Sequence, residues 1–443
     1  MNNPFPVSII IFFLTVLPAF IQLIFGYSQS YGVLLVSSLV IFISILFNKL
    51  NFFPNHKNYC KPLLIFLLFI FVHSLLLFIF SDINVRRLSL SFIGLCLLLL
   101  SYGPIIQGLK YVSKLNIFNR IFNYIFYFYL LILFIAPIKL FTFQTSGKPV
   151  VFFDEISLFC LTFIPFLFYK SVVSSQKVKL LLIVTISILA VQYNSLLLTL
   201  MCIFVVTFTL KIRFLFFYFV ILSLILYNDL ILRDLFNNLY LYLNNFVSQL
   251  TVIFSKYLSF FEVSNIISST DVTHQERNTL SFSNYFESRI PQKNNHNLSV
   301  LYLLSGWERA FINLHNSYGY GIGFQQLGFE SNYGFYQDKL TSILGSSMGL
   351  KSGGSVGSKI ISEFGIFGLF FIIIYIYKAF IILLKIRLMS IKRLKYSTTE
   401  LLMMCIFTSY GFSLFLRGVG YFNTAGFLFI ISFIWLILQK RNN

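Results

Sequence analysis

The sequence predicts an all-α polytopic membrane protein, a bundle of about twelve transmembrane helices with one large loop on the side opposite both termini. Three observations carry that prediction. The 443 residues are 58% hydrophobic and only 11% charged, against about 25% charged in a soluble domain. Long apolar runs recur from Pro6 to the C-terminus, and a run of about 18 or more residues crosses about 30 Å of hydrocarbon as a helix. The runs are continuous rather than alternating in polarity. That pattern fits helices and not a closed barrel, the other structure that satisfies its backbone in lipid.

Taken in order, the runs fall at roughly 6–25, 31–47, 62–80, 88–106, 120–138, 152–169, 178–192, 194–210, 213–227, 360–384, 400–416 and 420–438. The first ends without a small-residue cleavage site, so it reads as a span and not as a removed signal peptide. With the N-terminus in the cytoplasm, the loops on that side hold eighteen basic residues. The short outer loops hold five: Arg86, Arg87, Lys139, Lys148 and Arg417. Positive charge gathers on the cytoplasmic side of membrane proteins, so both termini are expected there. The chain divides into nine helices over 1–227, a loop over 228–359 and three helices over 360–443.

The loop is too long for a simple connector. It carries nine of the fourteen acidic residues and falls on the outer side. Phe236 to Phe261 alternates apolar residues with Asn, Ser and Gln, a pattern suited to an amphipathic helix lying in the interface. Ser264 to Leu298 is polar, and Trp307 to Gly357 is rich in glycine. Glycine permits tight turns and close backbone approach.

The net charge is +19, yet the basic residues flank apolar runs, so no nucleic-acid partner is expected. Cys96, Cys160, Cys202 and Cys405 lie in apolar runs and Cys60 in a short basic loop, which suggests no disulfide framework. The chain has no Asp-x-Asp pair, no phosphate-binding glycine loop, no serine elbow and no zinc-ligand spacing. No cofactor or metal is expected.

Charges at a membrane edge are costly and mark function. On this topology Asp154 and Glu155 open the sixth span, Arg417 closes the eleventh, and Arg86 and Arg87 lie between the third and fourth. The large loop adds Arg309, His315 and Lys351. Such cations suit a diphosphate on a lipid carrier, because guanidinium forks match phosphate oxygens. A carboxylate or imidazole beside them can take a proton from an attacking hydroxyl, and fixed cations stabilise a leaving pyrophosphate without a metal. Each residue also has a structural role open to it. Arg417 can anchor at the interface, and Glu155 can favour a helix N-terminus. Arg309 can pair with Glu308, Glu363 can pair within the bundle, and His315 can be purely structural. His73, in the third span, reads as a satisfied polar group of the bundle.

Four stretches then resemble the bacterial O-antigen polymerase (Wzy) family, within the O-antigen polymerase and ligase superfamily. Lys148 to Ser157 is similar to the family's Glu-Pro-Ser segment, with Ile156 in place of Pro. Asn194-Ser195 resembles its serine-rich helix start. Gly306-Trp307-Glu308-Arg309 followed by Gly319-Tyr320-Gly321-Ile322-Gly323 resembles its Arg-then-Gly loop. Ser362 to Gly368, with Arg417 to Phe422, is similar to its last third. The resemblance implies a GT-C-type bundle in the bacterial inner membrane with a periplasmic active site. It implies metal-independent, inverting transfer of a growing glycan from undecaprenyl diphosphate onto a lipid-linked repeat unit. By this resemblance Arg309 and Arg417 hold the diphosphates, with Arg86, Arg87 and Lys351 beside them and Glu363 among the substrate-binding residues. Glu155 or His315 orients or deprotonates the acceptor, and Trp307, Tyr318 and Tyr320 offer faces to sugars. A chain-length regulator and a flippase are the protein partners implied. An O-antigen ligase and a lipid-linked oligosaccharide flippase share the outline and are the alternatives.

Overall fold

A computed structural model describes residues 29–47, 57–80, 83–114, 118–135, 156–174, 196–211, 298–329, 334–344, 350–351, 353–392, 397–418 and 420–440. Among them the regular structure is helical, with no strand. The helices are α1 (Gln29–Phe47), α2 (Lys57–Phe80), α3 (Val85–Lys114), α4 (Phe118–Ile135), α5 (Ile156–Val173) and α6 (Leu196–Thr209), then α7 (Leu298–Asn316), α8 (Phe335–Leu344), α9 (Val356–Lys392), α10 (Thr398–Ser409), α11 (Gly411–Phe415) and α12 (Thr424–Lys440). Nine of the expected apolar runs thus contain helix. The runs at 6–25, 178–192 and 213–227 lie outside the described residues, as do the Phe236–Phe261 segment and the polar stretch up to Asn297.

Three helical segments, Val85–Ile106, Val356–Ile391 and Thr398–Phe415, are long and apolar enough to cross a membrane, and five shorter helices are strongly apolar. They differ in what surrounds them. Every residue of α10 from Leu401 to Ser409 is buried, because α10 packs against α5, α9 and α12. An apolar helix buried on all sides is a core helix. After residue 365, by contrast, α9 buries a single stripe, Gly368, Ile372, Tyr375 and Ala379, while Phe370, Ile373, Ile374 and Tyr377 are exposed. The stripe recurs every three to four residues, one face of a helix. The apolar remainder faces outward, as it does where the solvent is lipid.

α9 is two helices joined at a break. Gly365 has φ 58° and ψ −131°, a conformation open essentially to glycine alone. Before the break Val356–Phe364 is buried on every side. The break frees backbone groups that would be costly in an apolar setting, and a glycine loop satisfies them. The amides of Ile322 and Gly323 donate to the carbonyls of Ser362 and Glu363 at 2.9 and 3.0 Å, and Ile366 donates back to Gly319 at 2.8 Å. Gly319, Gly321 and Gly323 all have positive φ. A Cβ on Gly321 would stand 2.6 Å from the Glu363 carbonyl oxygen, so only glycine lets the two chains meet. The loop follows directly on α7, which packs along α9 and against α8. The sequence reading placed no helix at α7 or α8.

Candidate functional site

The α7–loop–α9 unit brings cations and a carboxylate to one buried place. Lys359 and Glu363 lie four residues apart on the first half of α9, hence on one face. Their charged atoms are 3.6 Å apart, with 3% and 0% of the side chains exposed. The Lys359 ammonium also donates to Gln325 Oε1 at 3.0 Å and to the Lys351 carbonyl at 3.1 Å. It stands 5.1 Å over the ring of Tyr421. The Tyr421 hydroxyl donates to Glu363 Oε2 at 2.8 Å. Burial and then the Glu363 carboxylate push the Tyr421 pKa well above the ordinary tyrosine value, so the hydroxyl stays a donor.

Two arginines come to the same place from other elements. Arg309, on α7, is 1% exposed, and its Nη2 donates to the Leu350 carbonyl at 2.7 Å. Arg87 sits at the start of α3, where the Asn84 side chain accepts its backbone amide at 3.0 Å, as an N-cap does. Its Nη1 donates to the Leu327 carbonyl at 3.1 Å, and its guanidinium stands 4.9 Å over Phe329. Both guanidiniums are close enough to Lys359 to repel its charge, and Arg87 also acts on Glu363. Lys359 and Arg87 thus act on the Glu363 carboxylate and Arg309 on Lys359, and even with the buried Glu308 counted three cations exceed two carboxylates. Repulsion of that kind favours an anion.

Other expected residues sit around this centre at different depths. Arg417 follows α11, with its guanidinium 4.2 Å over the ring of Tyr302. Lys351 directs its carbonyl to Lys359 while its residue is exposed. Arg86 is exposed at the start of α3. His315 is exposed at the end of α7, with Nδ1 3.4 Å from the Asn316 side chain. Tyr318 and Tyr320 are exposed on the glycine loop, while Trp307 stacks parallel to Phe415 with ring centres 6.4 Å apart. Glu308 is not the surface charge that its place in a polar loop suggests. It is buried and accepts the Phe335 and Tyr336 amides at 3.1 and 2.8 Å, capping α8. His73 Nε2 donates to the Tyr320 carbonyl at 2.9 Å. Asp154 and Glu155, with the rest of 148–155 from the Lys148 to Ser157 stretch, lie outside the described residues, as does Asn194-Ser195.

Beside the charges opens an apolar cleft of about 620 Å³ between α2, α3, α9 and α12. Its inner end is formed by Phe324, Ile360, Phe364 and Tyr421, the chain neighbours of the charged group or part of it. Phe66, Phe367 and Phe433 also line it and are themselves exposed on the outward faces of α2, α9 and α12. The cleft thus opens sideways, towards the surface that lipid would cover. Tyr421 belongs to both regions, with its ring in the cleft wall and its hydroxyl on Glu363.

Lys359, Gln325 and Tyr421 were not singled out from sequence. The signal available was the Lys359-x3-Glu363 spacing, an ion pair on one helical face. Comparison with family models, characterised proteins and solved structures gives no match to this chain.

Proposed function

We propose that this chain is a membrane glycosyltransferase that polymerises sugar repeats carried on undecaprenyl diphosphate at the periplasmic face of a bacterial inner membrane. The fold proposed with it is a bundle of about twelve spans of the GT-C type. The single observation that carries the reading is Tyr421, the shared wall between a buried cationic cluster and a sideways-open apolar cleft. An amphiphile with a doubly charged head and a long hydrocarbon tail has that shape and polarity. Guanidiniums suit its head, and an apolar cleft suits its tail.

In this reading Arg309 and Arg417 hold the diphosphates, and Arg87 supports them, with Arg86 and Lys351 at the rim. The acceptor sugar hydroxyl attacks the donor anomeric carbon, the carbon–oxygen bond to the diphosphate breaks, and the anomeric configuration inverts. The hydroxyl proton passes to Glu155 or His315. The leaving diphosphate carries the negative charge, and fixed cations stabilise it as it develops, so the step needs no metal. Glu363 is paired with Lys359 and bound by Tyr421, so it holds the cluster together and is not the base. Tyr318 and Tyr320, exposed on the glycine loop, offer faces to the glycan. Its protein partners in this reading are a flippase that delivers repeats and a chain-length regulator.

The test is purified protein with synthetic lipid-linked repeats, with and without chelator. A ladder of products, each one repeat longer, supports the polymerase. Transfer to a core lipid acceptor would indicate the ligase, and movement of the lipid across the bilayer without a new glycosidic bond a flippase. In cells, polymerase loss leaves a core bearing one repeat, whereas ligase loss leaves bare core.

A further inference from the structure

The cations of this site hold two short segments, 325–327 and 350–351. Arg87 holds the carbonyl of Leu327 and Arg309 that of Leu350. Lys359 holds the side chain of Gln325 and the carbonyl of Lys351. Lys359 therefore reaches both segments that the two arginines grip singly. Its ammonium has three donors, and three acceptors surround it: Gln325 Oε1, the Lys351 carbonyl and Glu363 Oε1. Gly420 passes close by, and a Cβ there would stand 3.7 Å from the ammonium nitrogen. The buried half of α9 is thus joined to the 325–327 and 350–351 segments through Lys359, with Glu363 also accepting from the Gln325 backbone.

We propose that Lys359 is a positioning residue of this site, joining the Gln325–Leu327 and Leu350–Lys351 segments to α9 and so setting where the Arg87 and Arg309 guanidiniums stand. The proposal rests on the glycan-polymerising reading for its effect on rate, but not for its effect on structure. Lys359 does not contact the proposed substrate. It acts through the segments that carry the Leu327 and Leu350 carbonyls, the acceptors of the two arginines. A tight diphosphate site needs its cations held to about 0.5 Å, and each arginine donates to a carbonyl on one of these two segments. A narrower role competes with this one: Lys359 serves only to neutralise the buried Glu363 carboxylate.

The two roles separate in a pair of variants, Lys359→Met and the double variant Lys359→Met with Glu363→Gln. The double variant removes both charges and keeps an acceptor for Tyr421. Two readouts are taken in lipid nanodiscs: hydrogen exchange of peptides covering 324–329 and 350–354, which requires no substrate, and the rate of repeat addition. Positioning predicts that the double variant regains the melting temperature lost by Lys359→Met. Its two loop segments still exchange at least tenfold faster than wild type, and kcat falls at least tenfold with KM little changed. Wild-type exchange in both segments, in either variant, overturns the proposal, as does a double variant with wild-type kcat. If wild-type protein adds no repeats at all, the polymerising reading fails while the exchange result still decides the role of Lys359.

Discussion

Gly319 bridges the break at Gly365: its carbonyl accepts the Ile366 amide at 2.8 Å, and any Cβ on Gly365 would overlap that carbonyl. Both glycines have positive φ. Gly365→Ala therefore combines a backbone strain of about 1–3 kcal/mol with a clash that neither backbone can relieve. The expected result is a marked loss of folded protein, read as monodisperse yield and melting temperature in detergent. Gly94→Ala is the comparison, since its Cβ would meet only the flexible end of Leu34 at 3.2 Å. It is expected to fold normally. Equal behaviour of the two variants would remove the special role of the break.

Arg309 and Arg417 differ in what they do for the fold, and their variants should separate accordingly. Arg309→Ala strips a buried charge-assisted bond from the Leu350 carbonyl, a loss of about 1–3 kcal/mol. Arg309→Lys keeps the charge but not the planar fork, so it should fold and still fail. Arg417→Ala loses a cation over Tyr302, about 0.5–1 kcal/mol, so the fold should hardly change. In the proposed reaction each removal lowers turnover by roughly 10²–10³. Polysaccharide from polymerase-null cells carrying each variant should shrink to single repeats. Long chains from Arg309→Lys and Arg417→Ala together would end the diphosphate role for both.

Much of this architecture is legible in the hydropathy of the chain, because a lipid-facing helix has no choice but to be apolar for most of its length. Apart from α7 and α8, the helices from Gln29–Phe47 to Thr424–Lys440 fall within or overlap the apolar runs. Arg309 is legible as well, because an arginine before a glycine-rich stretch is a local signal. The site's centre is harder to read. Lys359 and Glu363 lie at the front of an apolar run and look like its polar edge, yet tertiary packing of α7 and the glycine loop buries them completely. Gly365 and Gly368 read as small residues for close helix packing. Gly365 instead breaks the helix, and no periodicity distinguishes the two uses of glycine. Tyr421 gains its position from tertiary contacts ahead of α12, where the Gly418 amide donates to the Gly354 carbonyl at 3.1 Å and the Tyr421 ring stacks on Phe324.

Tyr421→Phe tests the hinge between cleft and cluster without altering the cleft. The ring, which stacks on Phe324 with centres 5.8 Å apart, is retained. The hydroxyl's bond to Glu363 is lost, at about 1.5–3 kcal/mol for a bond to a charged group. Burial beside Glu363 raises the hydroxyl's pKa. A raised pKa means that its contribution is fully present below the unfolded tyrosine value of about 10 and is lost only as pH climbs through the folded value. The stability difference between wild type and Tyr421→Phe should therefore be flat from about pH 6 to 9. A difference that grows or vanishes within that window, measured by chemical denaturation in detergent, would show that another group carries the effect.

Filling the cleft should act on the tail and not on the chemistry. Ile430 is half-buried on α12 and lines the cavity. Ile430→Trp adds bulk to open space, at an overpacking cost of at most about 1–3 kcal/mol. The expected outcome is a KM for the lipid-linked repeat raised about tenfold, equivalent to about 1.4 kcal/mol, with kcat nearly unchanged. The arginine variants should show the opposite split. If Ile430→Trp leaves KM unaltered, the hydrocarbon tail lies elsewhere.

The sidedness of α9 can be read directly. From Ile366 to Lys392 the helix runs 27 residues, roughly 40 Å at 1.5 Å per residue, more than the hydrocarbon thickness of about 30 Å. If α9 spans the bilayer, the Glu363 end and the Lys392 end emerge on opposite faces. Tyr318 is 92% exposed on the glycine loop, which is hydrogen-bonded to the Glu363 end. Ser397 is exposed just before α10, near the other end. In a cysteine-free background, Tyr318→Cys should react with a membrane-impermeant maleimide in spheroplasts. Ser397→Cys should react only after the membrane is opened. Labelling of both from one side would place the cationic cluster and the basic Lys385–Lys392 end of α9 on the same face. A span by α9 is then impossible, and so is the separation of active site from cytoplasm on which the polymerase reading depends.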